Sequence, residues 1–383
     1  MRPYLRFLEP LDVLFLRGNR LFGDPGSYGE ALVPPWPSVA AGALRSRMLA
    51  EAGIDLPRFA RGETSHDLLG SRDAPGAFTV VAFHLARRAH GGGIEILMPP
   101  PADLVVLAGA DGARAAIRAM RPTPLAAGLD CSTTLPLLPV LAEGERRKPT
   151  SGYWLSESGW RAYLAGAVPK VSDLVSTSAL WGIDHRVGVG LEAETRRAAE
   201  GRLFSVQAIA MKGGVGFLCA VTGAEPPCDG SARFGGDGRA VALHTVDRTL
   251  PVPDYEAIAN ARRFRLVLTS PGIFERGWLP TGAGDLSRDK GALFDLHGVR
   301  GRIVCAAVPR AETVSGWDLA RWEPKPALRA APTGSVYWIE LDAGVSAEAL
   351  RKLVERGLWT EAQYNTDMRR AEGFNRVSLA EWK

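Results

Sequence analysis

The chain has 383 residues, 46% of them hydrophobic and 23% charged, and its 46 basic and 42 acidic side chains leave a net charge of +4. These values are those of an ordinary globular protein of about two to three domains, and they exclude a histone-like polycation while permitting a local basic surface. Cys131, Cys219, Cys228 and Cys305 include no C-x₂-C pair, which argues against a zinc site or a disulfide framework and for a reducing cytoplasm. No apolar run approaches a membrane span. Arginine outnumbers lysine, as in Arg45/Arg47, Arg196/Arg197 and Arg369/Arg370. Arginine suits phosphate forks and base stacking, and a GC-rich genome produces the same bias.

Residues 3–16 predict a strand followed by a loop. Within them LDVLFL is short and carries Asp12, so it reads as strand rather than as the apolar core of a signal peptide. SVAAGALRSRMLAEAG predicts a helix with Ser38 as N-cap and Gly53 just past its end. AFTVVAFHLA and IEILM, joined through HGGG, predict a hairpin. Residues 122–160 lack a period, carry Pro122, Pro124, Pro136 and Pro139, and read as a loop-rich insertion. The stretch 202–223 reads as two strands folded back at Gly213-Gly214. ARFGGDGRAVALHTV is a glycine loop feeding a strand. The pattern then restarts. RRFRLVLTSPGIFERGWLP is strand and loop, SVYWIEL a strand, SAEALRKLVERG a capped helix ending at Gly357, and AEGFNRVSLAEW a glycine turn and strand. Each half opens strand–loop and closes turn–strand, a weak duplication that predicts two related α+β modules.

Three stretches could carry chemistry. In the first, Arg17 and Arg20 precede a helix whose Ser38, Ala41, Gly42 and Arg45 share one side. A helix N-terminus favours phosphate, small residues admit a bulky partner, and arginine forks onto a phosphate. Tight helix–sheet packing explains the small residues equally well. In the second, Phe234 to Arg239, Gly235, Gly236 and Gly238 can form an anion nest beside Arg239, although hairpin turns use the same residues. The third is the segment 182–204, where His185, Arg186, Arg196, Arg197 and Arg202 flank a Gly-x-Gly. A solvated loop and helix face, balanced by Glu192, Glu194 and Glu200, is its plain reading. Trp36 and Phe22 are candidates for base stacking or for the core. There is no H-E-x-x-H, G-x-S-x-G or paired metal-ligand motif, and the six histidines show no ligand spacing. No cofactor is expected.

LFLRGNRLFGDPGSYGEALVPPWPSVAAGALRSR resembles the N-terminal signature of subunit three of the Cmr module. That subunit belongs to the RAMP superfamily in type III-B CRISPR effectors. HRVGVGLEAETRRAAEGRLFSVQAIAMKGGVGF, FGGDGR, SPGIFERGWLP, GSVYWIEL and GFNRVSLAEW follow in that family's order, so the resemblance spans nearly the whole chain. The closing turn has a single glycine where superfamily loops are richer, and 122–160 has no counterpart.

The resemblance implies an α+β fold of two tandem ferredoxin-like (RRM-like) modules. The expected boundaries are 1–250, with insertions near 122–160 and 180–202, and 251–383. It also implies a non-catalytic, cytoplasmic ribonucleoprotein subunit in antiviral defence that grips the 5′ repeat-derived tag of the CRISPR RNA. Its expected partners are the large polymerase-type subunit, the adjacent backbone RAMP subunit and, indirectly, target RNA, with no membrane. The expected RNA-binding residues are Arg17, Arg20, Ser38, Gly42, Arg45, Arg186, Arg196, Gly235, Gly236, Gly238 and Arg239, brought together on one surface of the first module. Two rivals stay open at this point: a metal-independent endoribonuclease of repeat RNA using His185, and a scaffold whose arginines bind acidic proteins.

Overall fold

The structure is a computed structural model that describes every residue except 1, 17, 19–27, 30, 90, 110–115, 129–130, 145–146 and 319–322; at 28, 29 and 201 it describes the backbone alone. The chain divides into two compact units. The first holds 1–95, 177–247 and 314–327, and the second holds 96–176, 248–313 and 328–383. Residues 96–176, read from the sequence as part of the first module, therefore fall in the second unit.

The elements of the first unit are β1 (Tyr4–Pro10), α1 (Pro37–Glu51), β2 (Thr79–Arg88), β3 (Ile94–Leu97), β4 (Trp181–Leu191), β5 (Ala198–Met211), β6 (Val215–Thr222), β7 (Ser231–Arg233) and β8 (Ala240–Val246). Six of them form one sheet in the order β7-β8-β1-β6-β2-β3. β1 is antiparallel to both β6 and β8, with Phe7 opposite Leu218 and His244. The alternation of β1 and β6 places Phe217 on the other face, where it stacks on Phe83 and Phe234, each with ring centroids 5.4 Å apart. α1 buries Ala40, Ala41, Leu44 and Met48.

The second unit contains α2 (Tyr255–Ala261), β9 (Arg263–Leu268), β10 (Ala292–Leu296), β11 (Val299–Ala307), β12 (Val336–Leu341), α3 (Ala347–Arg356) and β13 (Val377–Glu381). Its sheet runs β10-β11-β12-β9-β13. Phe264, Leu266, Phe294, Ile303, Ile339 and Leu379 fill its core with Leu350 and Leu353 of α3. Each fully buried side chain of this size contributes about 1.5–3 kcal/mol. The Ser346 hydroxyl caps α3 by accepting from the Ala349 amide at 3.2 Å, and Gly357 ends it at φ +71°. Residues 96–176 are fastened into this unit by a buried ion pair. Arg265 Nη1 donates to Asp103 Oδ2 at 2.7 Å and the Tyr163 hydroxyl to Asp103 Oδ1 at 2.8 Å. Arg265 Nη2 donates to the carbonyls of Tyr163 and Glu381, and its guanidinium lies 4.2 Å from the Tyr163 ring centre.

Several expectations are corrected. Pro10 ends β1, and LDVLFL makes only one bridge, Leu14 to Ile209. Ser38 is not the N-cap of α1: Trp36 holds that place without a side-chain bond, and Pro37 starts the helix, where its missing N–H has no helical partner to lose. Residues 122–160 are not only loop, because they contain strands Arg121–Pro124, Leu137–Val140 and Tyr153–Leu155 and open the helix Glu157–Leu164. β5 and β6 do not pair with each other. β5 pairs with β4 in a separate ribbon, and β6 with β1 and β2. The reason lies in the turn: Val215 N bonds Lys212 O, and only the second glycine, Gly214, has positive φ, so its twist does not suit a two-residue hairpin. The segment 182–204, read as loop and helix face, is that β4–β5 ribbon.

Candidate nucleic-acid interface

The ribbon brings distant residues to one aromatic ring. Phe15 packs with Val206 and Ala208 of β5. Arg186 and Asp184 on β4 stand opposite Val206 and Ala208 in the register and so share that face. The Arg186 guanidinium lies 5.9 Å from the Phe15 ring centre and that of Arg239 lies 5.2 Å from it. Each such contact contributes about 0.5–1 kcal/mol at exposed sites. Both arginines are also oriented by a carboxylate. Arg186 Nε donates to Asp184 Oδ2 at 2.9 Å, and Arg239 Nη1 pairs with Asp12 Oδ2 across 227 positions of sequence. The Arg239 Nε is buried without an acceptor among the described residues. Phe15 itself is 5% exposed, so it holds arginines and does not offer a face for a base.

The turn Phe234 to Arg239 is built around the same residue. Gly236 N–H donates to the Phe15 carbonyl at 2.8 Å. A Cβ on Gly235, whose φ is +77°, would stand 2.8 Å from that oxygen, so glycine is required there. The amides of Phe234 and Arg239 bond within the turn as well. An open anion nest is thus not what the glycines make. They clasp residue 15, and Gly238 at φ +67° delivers Arg239 to the ring.

The helix patch behaves differently. Gly42 is exposed, and a Cβ on it would meet no described atom within 4 Å. Intrachain packing among the described residues does not require glycine there. Ala41 is buried at 1% exposure, so its small size does serve packing. Arg45 Nη2 donates to the Leu69 carbonyl at 3.2 Å. The bond from α1 towards β7 comes from Arg47, which reaches the Ser231 carbonyl at 3.5 Å. Arg196 sits at the ribbon tip with φ +54°, its amide bonded to the Glu192 carbonyl. The five residues from Arg186 to the end of β4 span about 17 Å at ~3.4 Å each, which removes Arg196 from the Phe15 cluster. Arg17, Arg20 and Phe22 lie outside the described residues.

Sequence reasoning missed Phe15, Asp12 and Asp184, the residues that organise the cluster. The aromatic directly before the arginine loop was the available signal, hidden by reading LDVLFL as strand. The Gly-x-Gly of the ribbon also has another use than flexibility. A Cβ on Gly188 would lie 2.4 Å from the Phe204 ring and one on Gly190 2.9 Å from Arg202, so the glycines let these two side chains lie across β4 on the Arg186 face. His185, the alternative catalytic base, stands opposite Gln207 and therefore on the reverse face from Arg186.

The architecture defines a sheet-rich mixed α/β protein, and the ribbon face carries arginines paired with carboxylates. The model of the family CRISPR-associated protein (Cas_Cmr3) matches residues 6–382, and the chain belongs to that family. No curated protein matches it. A chain in the cryo-EM structure of the type III-B Cmr-beta bound to cognate target RNA and AMPPnP is similar in fold, with TM-score 0.50 and 13% identity over 99% of both chains. A chain of the type III-B Cmr-beta bound to cognate target RNA has TM-score 0.48 and 13% identity over 97% of this chain and 96% of that one.

Proposed function

We propose that the chain is a non-catalytic RNA-binding subunit of a type III-B Cmr effector complex. In this reading it grips the 5′ repeat-derived tag of the CRISPR RNA and docks the large polymerase-type subunit and the adjacent backbone subunit. Family membership supports the complex. The sheets support two tandem ferredoxin-like modules. In the first, the strands β8-β1-β6-β2 stand in the spatial order fourth, first, third, second; in the second, β13-β9-β12-β11 repeat it. The observation that carries RNA binding is the convergence of Arg186 and Arg239 on Phe15. Their carboxylates hold the guanidiniums in place and leave further N–H donors of each fork for phosphate. Gly42 supports close approach by a partner to α1, beside Arg45.

The test is retention of guide RNA by the assembled complex after a salt wash. Arg239→Ala and Arg45→Ala should each weaken it, by about 1.5–3 kcal/mol for every charge-assisted hydrogen bond to phosphate that is removed. Arg45→Lys should weaken it too if the arginine forks onto the phosphate with two bonds. Full retention by both alanine variants would place the tag elsewhere. A metal-free incubation with repeat RNA should give no cut product. Cleavage lost in His185→Ala would establish the endonuclease instead. His185 lies on the face away from the arginines, which favours the non-catalytic reading.

A further inference from the structure

In the second unit, two arginines stack on one tyrosine and a third, buried, lies close by. The guanidinium of Arg356, at the end of α3, lies 4.1 Å from the Tyr364 ring centre, and that of Arg370 lies 4.9 Å from it. Arg376, directly before β13, is 2% exposed. Its Nη1 donates to the Glu355 carbonyl at 2.9 Å, while its Nε and Nη2 are buried with no acceptor among the described residues. The Nε of Arg356 is in the same condition. Arg370 Nε donates to the Tyr364 carbonyl at 2.9 Å. Nearby carboxylates are engaged, the buried Glu372 among them. Glu361 pairs with Arg356 at 2.6 Å, Glu372 with Arg369 at 2.9 Å, and Asp367 accepts from the Arg369 amide at 2.7 Å. No carboxylate reaches Arg376 among the described residues.

A buried charge with unmade hydrogen bonds is strongly unfavourable unless something answers it. Burial first, and the neighbouring charge of Arg370 after the opposing influence of Tyr364, pull the Arg376 guanidinium down to about 10. The direction agrees with the unanswered donors Nε and Nη2.

We propose that Arg356 and Arg370 on the Tyr364 ring, with the buried Arg376 close by, form a binding site for a phosphate group. Three planar forks suit the several oxygens of a phosphate better than the two of a carboxylate, and the absence of lysine from the set fits bidentate recognition. Arg356, 26% exposed, and the half-buried Tyr364 form the mouth. The phosphate enters as the Arg356 side chain swings off the ring, and it takes up the two free donors of Arg376. The inference stands on the second unit alone and does not depend on the RNA-tag reading.

The test is thermal unfolding of the full chain in inorganic phosphate against chloride at matched ionic strength. Phosphate should raise the midpoint of the wild type by several degrees. Arg376→Met should lose that rise while unfolding no earlier than the wild type in chloride, because an unanswered buried charge has been removed. Arg356→Gln should weaken phosphate at least tenfold and keeps the test alive should Arg376→Met fold poorly. An unchanged phosphate response in both variants, or none in the wild type, overturns the site. A short single-stranded RNA then separates the sources. If it abolishes the response to added phosphate, the site takes a backbone phosphate; if it does not, it takes free phosphate. Guide retention by first-unit variants is read separately, so either proposal can fail without the other.

Discussion

The turns before the last strand of each sheet use one backbone device for two ends. Gly238 at φ +67° precedes Arg239, and Asn375 at φ +57° precedes Arg376. Arg239 remains 25% exposed and leans on side chains, Asp12 and Phe15. Arg376 is sealed in and leans on a main-chain carbonyl. Side-chain partners can be exchanged for a ligand without unfolding anything, whereas Arg376 keeps its helix-end carbonyl and has only its other two donors to offer. The crossovers differ in the same complementary way. In the first unit a helix, α1, joins the first and second strands of the order, and the third and fourth are joined by β7 and a glycine turn. In the second unit α3 fills the other crossover. What distinguishes the units is where each leaves its arginines: at the surface in one cluster, inside the fold in the other.

That contrast can be broken most forcefully at Asp103. Asp103→Ala leaves Arg265 buried and unpaired, and should destabilise the chain by about 3–5 kcal/mol in denaturant unfolding. Asp103→Leu combined with Arg265→Met should recover much of the loss. Equal stability of the single variant and the wild type would mean that the second unit is not held by its inner arginines.

The next largest effect belongs to the first unit. Burial pushes the His84 imidazole on β2 down to about 4, from an ordinary value of 6.5. The unfolded chain takes up the proton first, so the stability from the neutral ring is complete above pH 6.5. It fades as the pH falls from 6.5 to 4, by at most about 3 kcal/mol. His84→Leu should flatten that acid limb. A limb unchanged in this variant would assign it to another group.

Smaller effects sharpen the helix patch and the ring cluster. Gly42→Ala should stabilise the isolated chain by about 0.8–1 kcal/mol, since alanine is the better helix former and its Cβ meets no described atom. Gly42→Leu should nonetheless lower guide retention by the complex. Retention unchanged would return the small face to an intrachain role. Asp12→Ala should alter stability least, by about 0–1 kcal/mol for an exposed pair, and should weaken RNA retention modestly by freeing Arg239 from its holding carboxylate. Stronger retention would show that Asp12 competes more than it orients.

Much of this was legible in the residues. Short runs rich in apolar residues marked β2, β9, β12 and β13, and Ser346 with Gly357 bounded α3, because strands and caps are set by near neighbours. The Gly-Arg turn was legible as a feature of the site, and its use was not. Phe15 and Arg239 meet only after β1 and β8 pair, and nothing local announces that. The β5–β6 misreading has the same root. Gly213-Gly214 looks like a hairpin turn, yet only its second glycine has positive φ, and β5 finds its long register with β4 instead. The burial of Arg376 against the end of α3 was equally invisible, since GFNR reads like any exposed turn.

The Asp103–Arg265 pair also has a consequence in time. The two residues are 162 positions apart. At roughly 5–20 residues per second, the ribosome adds Arg265 about 8–30 s after Asp103. Throughout that interval the Asp103 carboxylate, joined 60 positions later by the Tyr163 hydroxyl, waits without its guanidinium. The carbonyl of Glu381, which also holds Arg265, is made a further 116 positions on. The second unit therefore cannot close its Asp103 pair until β9 is made, and messages cut short before β9 should yield chains that proteases remove rather than half-proteins that persist.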